Sequence, residues 1–389
     1  MKDNRRTLLS LLFISQVFSF FGQKQVVLEG YSHGTTYHIQ YIDQKGKNYQ
    51  KQINQLLINF DKSVSTYQLN SIISKVNNNQ KVKLDSYFTT CFVRANEIYK
   101  STDGAFDPTV GPLVNAWGFG PQKKQEISSH LIDSLLQFVG FDLLELKENK
   151  VIKKDPRIAL DFNAFAQGYS VDVVAHFLRK KGLSSFLVEI GGEVYAQGKQ
   201  LNDENWIIGI EEPIDNQTSG NPYKAILRLD GKAIATSGNY RRYFIENGVK
   251  YVHHIDPKTG YPTKNNLLSA SVISTSCLNS DATATGLLVM GLEKAINYLK
   301  NHKELEAYLI YTDEKGNYYK DKDGNLWLGA DHGLLFFNAR QLQFRFYGTK
   351  SHPMLGVRPM FGIEKSTKKE FWIAAMGGLF NLKSSKGLP

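Results

Sequence analysis

Residues 101–121 read STDGAFDPTVGPLVNAWGFGP, an irregular stretch with four glycines and three prolines. Proline removes a backbone donor and glycine loses much backbone entropy on folding, so the stretch predicts neither a regular helix nor a central strand. Asp107 stands between Phe106 and Pro108, which is typical of an ordinary turn. The alternative interpretation is a rigid wall of backbone that presses against a flat ligand.

The sequence on both sides of this stretch predicts helices mixed with mostly antiparallel strands. Helical spacing of apolar residues occurs in the ranges 51–61, 85–100, 128–139, 168–178 and 280–299, the last with a glycine inside. Alternating patterns between turn residues predict strands in the ranges 26–42, 184–198, 205–211, 223–230, 232–238, 240–257 and 267–276. Asn247-Gly248 is the predicted turn of a hairpin. No repeating strand–helix–strand rhythm is found, so the predicted fold class is α+β.

Composition and charge narrow the class of protein. A chain of 389 residues is long enough for one large domain with a smaller piece, or for two domains. The net charge is +10, but +7 of it falls in residues 340–389 and no dense run of Lys and Arg occurs, so no nucleic-acid partner is predicted. Cys91 and Cys277 are isolated in sequence, which predicts two buried thiols rather than a disulfide framework or a metal site.

The N-terminus has the pattern of an export signal. A basic start precedes an apolar run at residues 8–21, which is too short to span a bilayer comfortably. Residues 1–22 are therefore predicted to be a signal peptide, with cleavage after Ser19 or after Gly22. No cysteine follows the run, which excludes lipid attachment there. We expect an exported, periplasmic protein, and an uncleaved segment would be its only route to the membrane.

The C-terminal part contains an internal repeat. GNLWLGADHGLLFF at 324–337 and KEFWIAAMGGLFNL at 369–382 align with an offset of 45 residues, with Trp327 opposite Trp372. A period near this length with fixed Trp and Gly-Leu positions is typical of propeller blades, and two blades do not close a ring. We therefore expect residues 316–389 to form a separate, incomplete propeller-repeat-like tail, which a fusion would explain.

Two polar segments suggest nucleotide binding, and each also has an ordinary interpretation. In KSVSTYQLNSIISKVN at 62–77, Tyr67 would stack on a ring, or the segment is a surface helix start that Ser71 caps. In DFNAFAQGYSVD at 161–172, Asp161 is either a helix cap or an acceptor for a nucleotide, and the helix start at Gly168 offers N–H groups to a phosphate. The spacings of dinucleotide-binding folds and of P-loops are both absent.

Two further segments suggest catalysis. In SCLNSDATATG at 276–286, Asp281 and Thr285 are four residues apart, so a helix places both on one face, where they suit a hard cation or a solvated helix start. His253 and His254 precede Ile-Asp-Pro and are candidates for a general base, although a hairpin histidine is more often structural. The arginine pair at 241–242 would bind phosphate or lie exposed on an edge strand.

Eight of these segments, taken in order, closely resemble the ApbE family of FAD:protein FMN transferases. They are GTTYHIQY, STYQLNSIISKVN, TDGAFDPTVGPLVNAWGFGP, LDFNAFAQGYSVD, VEIGGEVYAQG, ATSGNYRRYF, HHIDPKTGYP and NSDATATG. The resemblance extends from about residue 26 to about residue 311, which implies an ApbE-like flavin transferase domain at 23–315. The third and seventh segments are the most specific.

The resemblance implies a reaction and its partners. Family members cleave the pyrophosphate of FAD with the help of Mg²⁺, join FMN to a Thr or Ser hydroxyl of an acceptor protein through a phosphoester bond, and release AMP. Their acceptors are flavin-carrying proteins of extracytoplasmic electron-transfer systems. Two other activities stay open, namely FAD hydrolysis by a pyrophosphatase with water as acceptor, and a non-catalytic flavin-binding sensor.

The resemblance also assigns roles to residues. Those implied to hold FAD are Tyr67, Ala105, Phe106, Asp107, Asp161, Gln167 and Ile255. Those implied to bind the metal are Asp281, Thr285 and the backbone oxygen of Ala164. His253 would be the base that acts on the acceptor hydroxyl. The chain departs from the family pattern at His33, where Met is usual, at Asn163, where Gly is common, and at Gln167, where Lys or Glu is frequent.

Overall fold

The structure is a computed structural model of the chain. It describes the ranges 23–120, 123–211, 223–239, 243–246 and 249–311, and six later segments at 326–330, 333–338, 343–348, 360–367, 370–375 and 378–383. The predicted signal peptide at 1–22, the arginine pair 241–242 and the predicted turn Asn247-Gly248 lie outside these ranges.

Helices and strands alternate irregularly along the chain. The helices are α1 Gln50–Val64, α2 Ile72–Asn77, α3 Ser86–Ser101, α4 Gly111–Ala116, α5 Ser129–Leu136, α6 Ala166–Lys180, α7 Cys277–Met290 and α8 Leu292–Asn301. The strands up to residue 311 are β1 Lys24–Ser32, β2 Thr35–Asp43, β3 Leu144–Lys147, β4 Lys150–Lys153, β5 Phe186–Ile190, β6 Glu193–Gln197, β7 Trp206–Glu211, β8 Tyr223–Leu229, β9 Lys232–Gly238, β10 Tyr243–Glu246, β11 Val249–Val252, β12 Leu267–Ser274 and β13 Glu306–Tyr311. Among the described residues, no helix combines the length and the apolar character that crossing a membrane would need.

Seven strands form the main sheet, in the order β1-β2-β5-β6-β9-β12-β13. Every neighbouring pair in it is antiparallel. The β1–β2 hairpin turns at His33 and Gly34, whose φ angles of 53° and 74° suit the tight turn that right-handed strand twist favours. An antiparallel sheet with helices between its strands confirms the predicted α+β class.

Helices α6 and α7 pack on this sheet and position the polar groups of interest. Val174 and Leu178 of α6 share one buried cluster with Val188 of β5. Leu287 of α7 shares another with Val272 of β12. Burial of such aliphatic side chains contributes roughly 1.5–3 kcal/mol each, so both helices are fixed to the sheet through their apolar faces.

Part of the 101–121 stretch is helical, so the prediction that it holds no regular helix is wrong for α4. Pro112 lies in the first turn of α4, where the missing N–H of proline is not needed. The indole Nε1 of Trp117 then donates a hydrogen bond to the carbonyl of Gly260 at 2.9 Å. This bond joins the stretch to the segment 253–262 that contains the two histidines.

The prediction of a single helix at 280–299 is wrong, because the chain forms two helices there. Gly291 separates α7 from α8 with φ 76°, a left-handed conformation that glycine adopts without steric cost. Its N–H donates to the carbonyl of Leu287 and caps α7. The β3–β4 hairpin and the short 3-10 helix Phe141–Leu143 before it were not predicted.

The described segments after residue 325 form two three-stranded antiparallel sheets. Their strands are β14 Leu326–Ala330, β15 Gly333–Asn338, β16 Gln343–Gly348, β17 Met360–Thr367, β18 Glu370–Ala375 and β19 Gly378–Lys383. Trp327 pairs with Phe336, and Trp372 pairs with Asn381, so the repeated residues occupy equivalent hairpin positions. The propeller interpretation of residues 316–389 stays a prediction.

Candidate active site

Asp281 and Thr285 lie on one face of α7, as their spacing predicted, and both contact the segment that leads into α6. Oδ2 of Asp281 accepts a hydrogen bond from the N–H of Gly168 at 3.0 Å. Oγ1 of Thr285 donates to the carbonyl of Ala164 at 3.4 Å and lies 3.1 Å from Oγ of Ser237 in β9. The carboxylate of Asp281 and the hydroxyl of Thr285 therefore face the same stretch, residues 164–168, and we call these two groups and the carbonyl of Ala164 the oxygen cluster.

The oxygen cluster fits a hard divalent cation. Burial raises the pKa of Asp281 to about 7, while the N–H of Gly168 lowers it and the nearby Asp172 raises it further. A positive charge beside a buried carboxylate favours its ionised form, so a bound cation would stabilise ionised Asp281. Carboxylate, hydroxyl and carbonyl oxygens are ligands that Mg²⁺ accepts, with water or substrate completing its shell. No group of three or more His, Cys, Asp or Glu side chains suited to a metal occurs in the described part of the chain, so a site here depends on one carboxylate.

The segment before α6 ties three sequence motifs together. The N–H of Asp161 donates to the carbonyl of Pro108 at 2.7 Å, which joins it to the 101–121 stretch. Oδ1 of Asp161 accepts from the N–H of Asn163 at 2.8 Å, and the Asn163 amide donates to Oγ1 of Thr66 at 3.2 Å. Burial raises the pKa of Asp161. The following residue, Tyr67, is 69% exposed and thus free to stack on a flat ligand.

Gln167 lies against a glycine turn between β5 and β6. Gly191 has φ 65°, and a Cβ built on it would collide with the amide of Gln167 and lie 2.8 Å from the methyl group of Thr35. The N–H of Gly191 donates to the carbonyl of Thr36 at 3.0 Å. Because Gly191 has no side chain, the Gln167 amide can lie against the β5–β6 turn.

Phe106 and Asp107 have different surroundings. The Phe106 side chain is 1% exposed and packs on Phe165 with ring centroids 5.5 Å apart, so only its backbone is positioned to meet a ligand. Ala105 beside it is half-buried. Oδ1 of Asp107 accepts from both the N–H and the hydroxyl of Thr109, at 2.8 and 2.6 Å. Burial raises the pKa of Asp107 to about 6. The Asp107 carboxylate is thus buried and accepts hydrogen bonds within the turn that contains Thr109.

A cavity of about 630 Å³ lies beside Asp107. Its wall includes Gly104, Asp107, Tyr99, Pro257 and Lys258, so the two most specific motifs meet there. Lys258 also forms an ion pair with Asp103. The volume falls in the range of small-molecule sites. Asp281 and Thr285 are not among its lining residues.

The two adjacent histidines differ in environment. His254 is buried, and its Nδ1 donates to Oδ1 of Asn239 at 2.7 Å. Burial lowers the pKa of His254 well below its ordinary value, so this ring is neutral at physiological pH. The half-buried ring of His253 lies 4.0 Å from it, and 6.3 Å from the ring of Phe119. Ile255 is 4% exposed and belongs to an apolar cluster, so its side chain serves the core.

Comparison with known proteins identifies the family. The sequence model of the ApbE family matches residues 33–309. The chain belongs to the ApbE family. It is 35% identical over 308 residues to the FAD:protein FMN transferase of Haemophilus influenzae, which covers 75% of this chain and 88% of that protein. It is also 36% identical over 300 residues to the FAD:protein FMN transferase of Vibrio cholerae, and this match covers 75% of this chain and 89% of that protein.

A solved structure supports the same assignment. The structure of the flavin transferase ApbE from Vibrio cholerae matches this chain with a TM-score of 0.69 and 31% sequence identity. The match covers 86% of this chain and 100% of the Vibrio cholerae chain. At this level of likeness the ApbE flavin transferase fold extends over the main sheet and its helices.

His33 is a departure from the usual ApbE pattern with a structural explanation. Its Nδ1 lies 2.6 Å from Oδ1 of Asp61, and its ring packs edge-on against Phe60 at 5.5 Å. The imidazole therefore fastens the β1–β2 turn to the end of α1. Its Nε2 is buried without a hydrogen-bond partner in the described structure.

Several residues that organise this candidate site were not singled out from the sequence. Ser237 contacts Thr285, and Asn239, two residues later, holds His254, so the end of β9 connects the oxygen cluster to the histidines. Both residues are in TSGNY, the segment directly before the arginine pair that was proposed to bind phosphate. Asp172 accepts hydrogen bonds from the first turn of α7. Its position, four residues after Gly168, was the available signal.

Proposed function

We propose that this chain is an FAD:protein FMN transferase that requires Mg²⁺, joins FMN to a Ser or Thr hydroxyl of an acceptor protein and releases AMP. Membership of the ApbE family and similarity to two proteins named FAD:protein FMN transferase support the transfer itself. The observation that carries the finer proposal is the oxygen cluster, in which Thr285 contacts the carbonyl of Ala164 and Asp281 contacts the N–H of Gly168, one helical turn further along the chain.

Asp281, Thr285 and the Ala164 carbonyl would hold the Mg²⁺ ion. A bound divalent ion would neutralise charge on the pyrophosphate and on the departing AMP oxygen. The rest of the catalysis in such a transfer is positioning and electrostatics. The hydrogen bonds from Gly168 and to Ala164 hold the two α7 side chains in one orientation.

His253 would accept the proton of the acceptor hydroxyl. A Thr or Ser hydroxyl is a weak nucleophile at neutral pH and needs a base within hydrogen-bond reach. As the acceptor oxygen forms its bond to the FMN phosphorus, the bond from phosphorus to the AMP oxygen breaks. The neutral His254 ring, held by Asn239, supports His253 from behind. Replacement of His253 by alanine should slow transfer while FAD affinity, measured by flavin fluorescence, stays unchanged.

The binding surface for FAD would combine a backbone wall with a few side chains. Tyr67 is exposed enough to stack on a ring, and Asp161 and Gln167 flank the start of α6. The backbone of Ala105 and Phe106 would approach the ligand closely, and Asp107 would supply an acceptor. Ile255 would act by packing beneath the wall rather than through direct contact.

The decisive experiment mixes the purified full chain with FAD, Mg²⁺ and a flavin-acceptor protein. We expect covalent FMN on a Ser or Thr of the acceptor by mass spectrometry, and stoichiometric AMP by chromatography. Asp281→Ala and excess EDTA should both abolish labelling, because the oxygen cluster loses its only carboxylate or its ion. Labelling of the same acceptor by the Vibrio cholerae relative, but not by this chain, would contradict the proposal. AMP release without acceptor would indicate the pyrophosphatase activity.

We also propose that the protein works in the periplasm on acceptors of an extracytoplasmic electron-transfer system. The basic and apolar pattern of residues 1–22 supports export. N-terminal sequencing of the protein recovered from periplasmic extracts should show cleavage after Ser19 or Gly22. Recovery of the intact chain only from the cytoplasmic fraction would exclude this location.

A further inference from the structure

Helices α6 and α7 hold each other through two reciprocal contacts. Asp281 of α7 accepts the N–H of Gly168, in the first turn of α6, at 3.0 Å. In the opposite direction, Asp172 of α6 accepts the N–H groups of Cys277 and Leu278, in the first turn of α7, at 2.9 and 3.0 Å. Each helix therefore supplies a carboxylate to the N-terminus of the other.

Asp172 satisfies the start of α7 almost completely. The first N–H groups of a helix have no partner within it, and a carboxylate beside them is further favoured by the helix dipole. In addition to its two backbone contacts, Asp172 accepts a hydrogen bond from the hydroxyl of Ser276 at 2.8 Å. Ser276 is the N-cap residue of α7, and its own oxygen accepts from the N–H of Asn279. The side chain of Asp172 thus contacts the N-cap residue of α7 and the first two residues of the helix.

At Gly168 the two helices approach each other too closely to admit a side chain on this residue. A Cβ built on Gly168 would lie 2.5 Å from the carbonyl oxygen of Cys277 and 2.7 Å from Cβ of Asp281. The backbone of α6 therefore touches the first turn of α7 directly. Asp281 follows Cys277 by four residues, about one helical turn. Any displacement of the first turn of α7 consequently moves the Asp281 carboxylate relative to Gly168 and the Thr285 hydroxyl relative to the Ala164 carbonyl.

We propose that Asp172 is a positioning residue that sets the divalent-cation affinity of the oxygen cluster by fixing the start of α7. This inference rests on the proposed function, because the cation site is part of that proposal. Asp172 does not itself belong to the oxygen cluster, and it acts through the placement of Asp281 and Thr285. A role as a helix cap alone would predict lower stability with unchanged cation binding.

Asp85 provides a matched control. It is the N-cap residue of α3, and its Oδ1 accepts from the N–H of Phe88 at 2.9 Å and from the hydroxyl of Ser63 at 2.7 Å. It belongs to none of the motifs assigned to FAD or to the cation. Asp85→Asn and Asp85→Ala therefore remove a comparable capping carboxylate elsewhere in the fold.

The experiment compares the full-length wild type with Asp172→Asn, Asp172→Ala and the two Asp85 variants. Mn²⁺ binding in the presence of FAD is followed by the paramagnetic resonance of free Mn²⁺, and hydrogen exchange reports the amides of Cys277 and Leu278. We expect Asp172→Ala to raise the Mn²⁺ dissociation constant about tenfold or more, as loss of outer-shell partners does in other sites. Asp172→Asn keeps one acceptor oxygen and should give a smaller increase. Faster exchange at both amides is expected in each Asp172 variant.

Several results would overturn the assignment. If both Asp172 variants bind Mn²⁺ as tightly as wild type, Asp172 is only a structural helix cap. The same conclusion follows if the Asp85 variants lose as much Mn²⁺ affinity as the Asp172 variants. Unchanged exchange at Cys277 and Leu278 would show that Asp172 does not hold the helix start. Should Asp172→Ala fail to fold, Asp172→Asn carries the same comparison. A wild type that binds no Mn²⁺ would instead refute the proposed cation site, and this inference with it.

Discussion

Asp107 has an ionisable carboxyl at a position where ionisation opposes folding. Burial raises its pKa from 3.8 to about 6, although two hydrogen bonds from Thr109 lower it. The folded state therefore binds more protons than the unfolded state between about pH 4 and pH 6, and stability falls as the pH rises through this window. One pKa unit corresponds to about 1.4 kcal/mol, so ionisation costs roughly 3 kcal/mol above pH 7.

Asp107→Asn tests this cost. The variant keeps an oxygen for the two Thr109 donors and removes the charge, so its free energy of unfolding in urea should exceed that of wild type at pH 8. The gain should vanish near pH 4, where wild-type Asp107 is protonated. Asp155→Asn is the control, because hydrogen bonds from Arg157 lower the pKa of Asp155, so removing the Asp155 charge gives no gain in stability at high pH. A variant that is less stable than wild type at pH 8 would contradict the predicted pH dependence.

At the scale of single residues, the sequence predicted the spacing of Asp281 and Thr285 but gave no information on which atoms of a motif face a ligand. The separation of Asp281 and Thr285 was enough to place both on one helix face. Phe106 and Ile255 were expected beside FAD, yet their side chains lie in apolar clusters. A motif in an irregular stretch has no fixed period, so it does not reveal which atoms point toward a ligand.

The crossing of α6 and α7 is the element-level feature on which the oxygen cluster depends. Gly168→Ala should disrupt it, because the new Cβ meets backbone atoms of Cys277, which do not give way easily. Overpacking of this kind typically costs about 1–3 kcal/mol. We expect a lower urea midpoint and reduced FMN transfer. Gly111→Ala is the control, since its Cβ would make only an ordinary 3.6 Å contact with Asp161. Equal stability of the two variants would contradict a tight crossing.

Element types were predicted more reliably than element boundaries. The helical patterns at 51–61 and 85–100 correspond to α1 and α3, and Asp85 caps α3 through the N–H of Phe88. The break at Gly291 was missed, because apolar periodicity continues across it while one left-handed residue redirects the chain. α4 was missed because proline in a first helical turn resembles a helix breaker in composition alone.

At the scale of the whole molecule, the hydrophobic core of residues 23–311 extends to the edge of the main sheet. Its last strand, β13, pairs with β12 on one side and is the final strand in the sheet order. Tyr308 and Ile310 of β13 join the buried cluster that Trp206 and Leu229 of the β7–β8 hairpin share. Within the range 23–311, the buried hydrophobic residues extend from Leu28 to Ile310. The family match, at 33–309, covers the same part of the chain.

A chain truncated to residues 23–311 should therefore fold alone and transfer FMN at the full-length rate. Its thermal midpoint should stay within a few degrees of wild type, because the hydrophobic clusters that join the main sheet to its helices are kept. A chain that ends at Lys303 is the matched control. It lacks β13 and exposes the edge of β12, so it should unfold or aggregate. Loss of solubility or of labelling in the 23–311 chain would instead assign the 316–389 tail a role in covering the β13 edge or in recognising the acceptor.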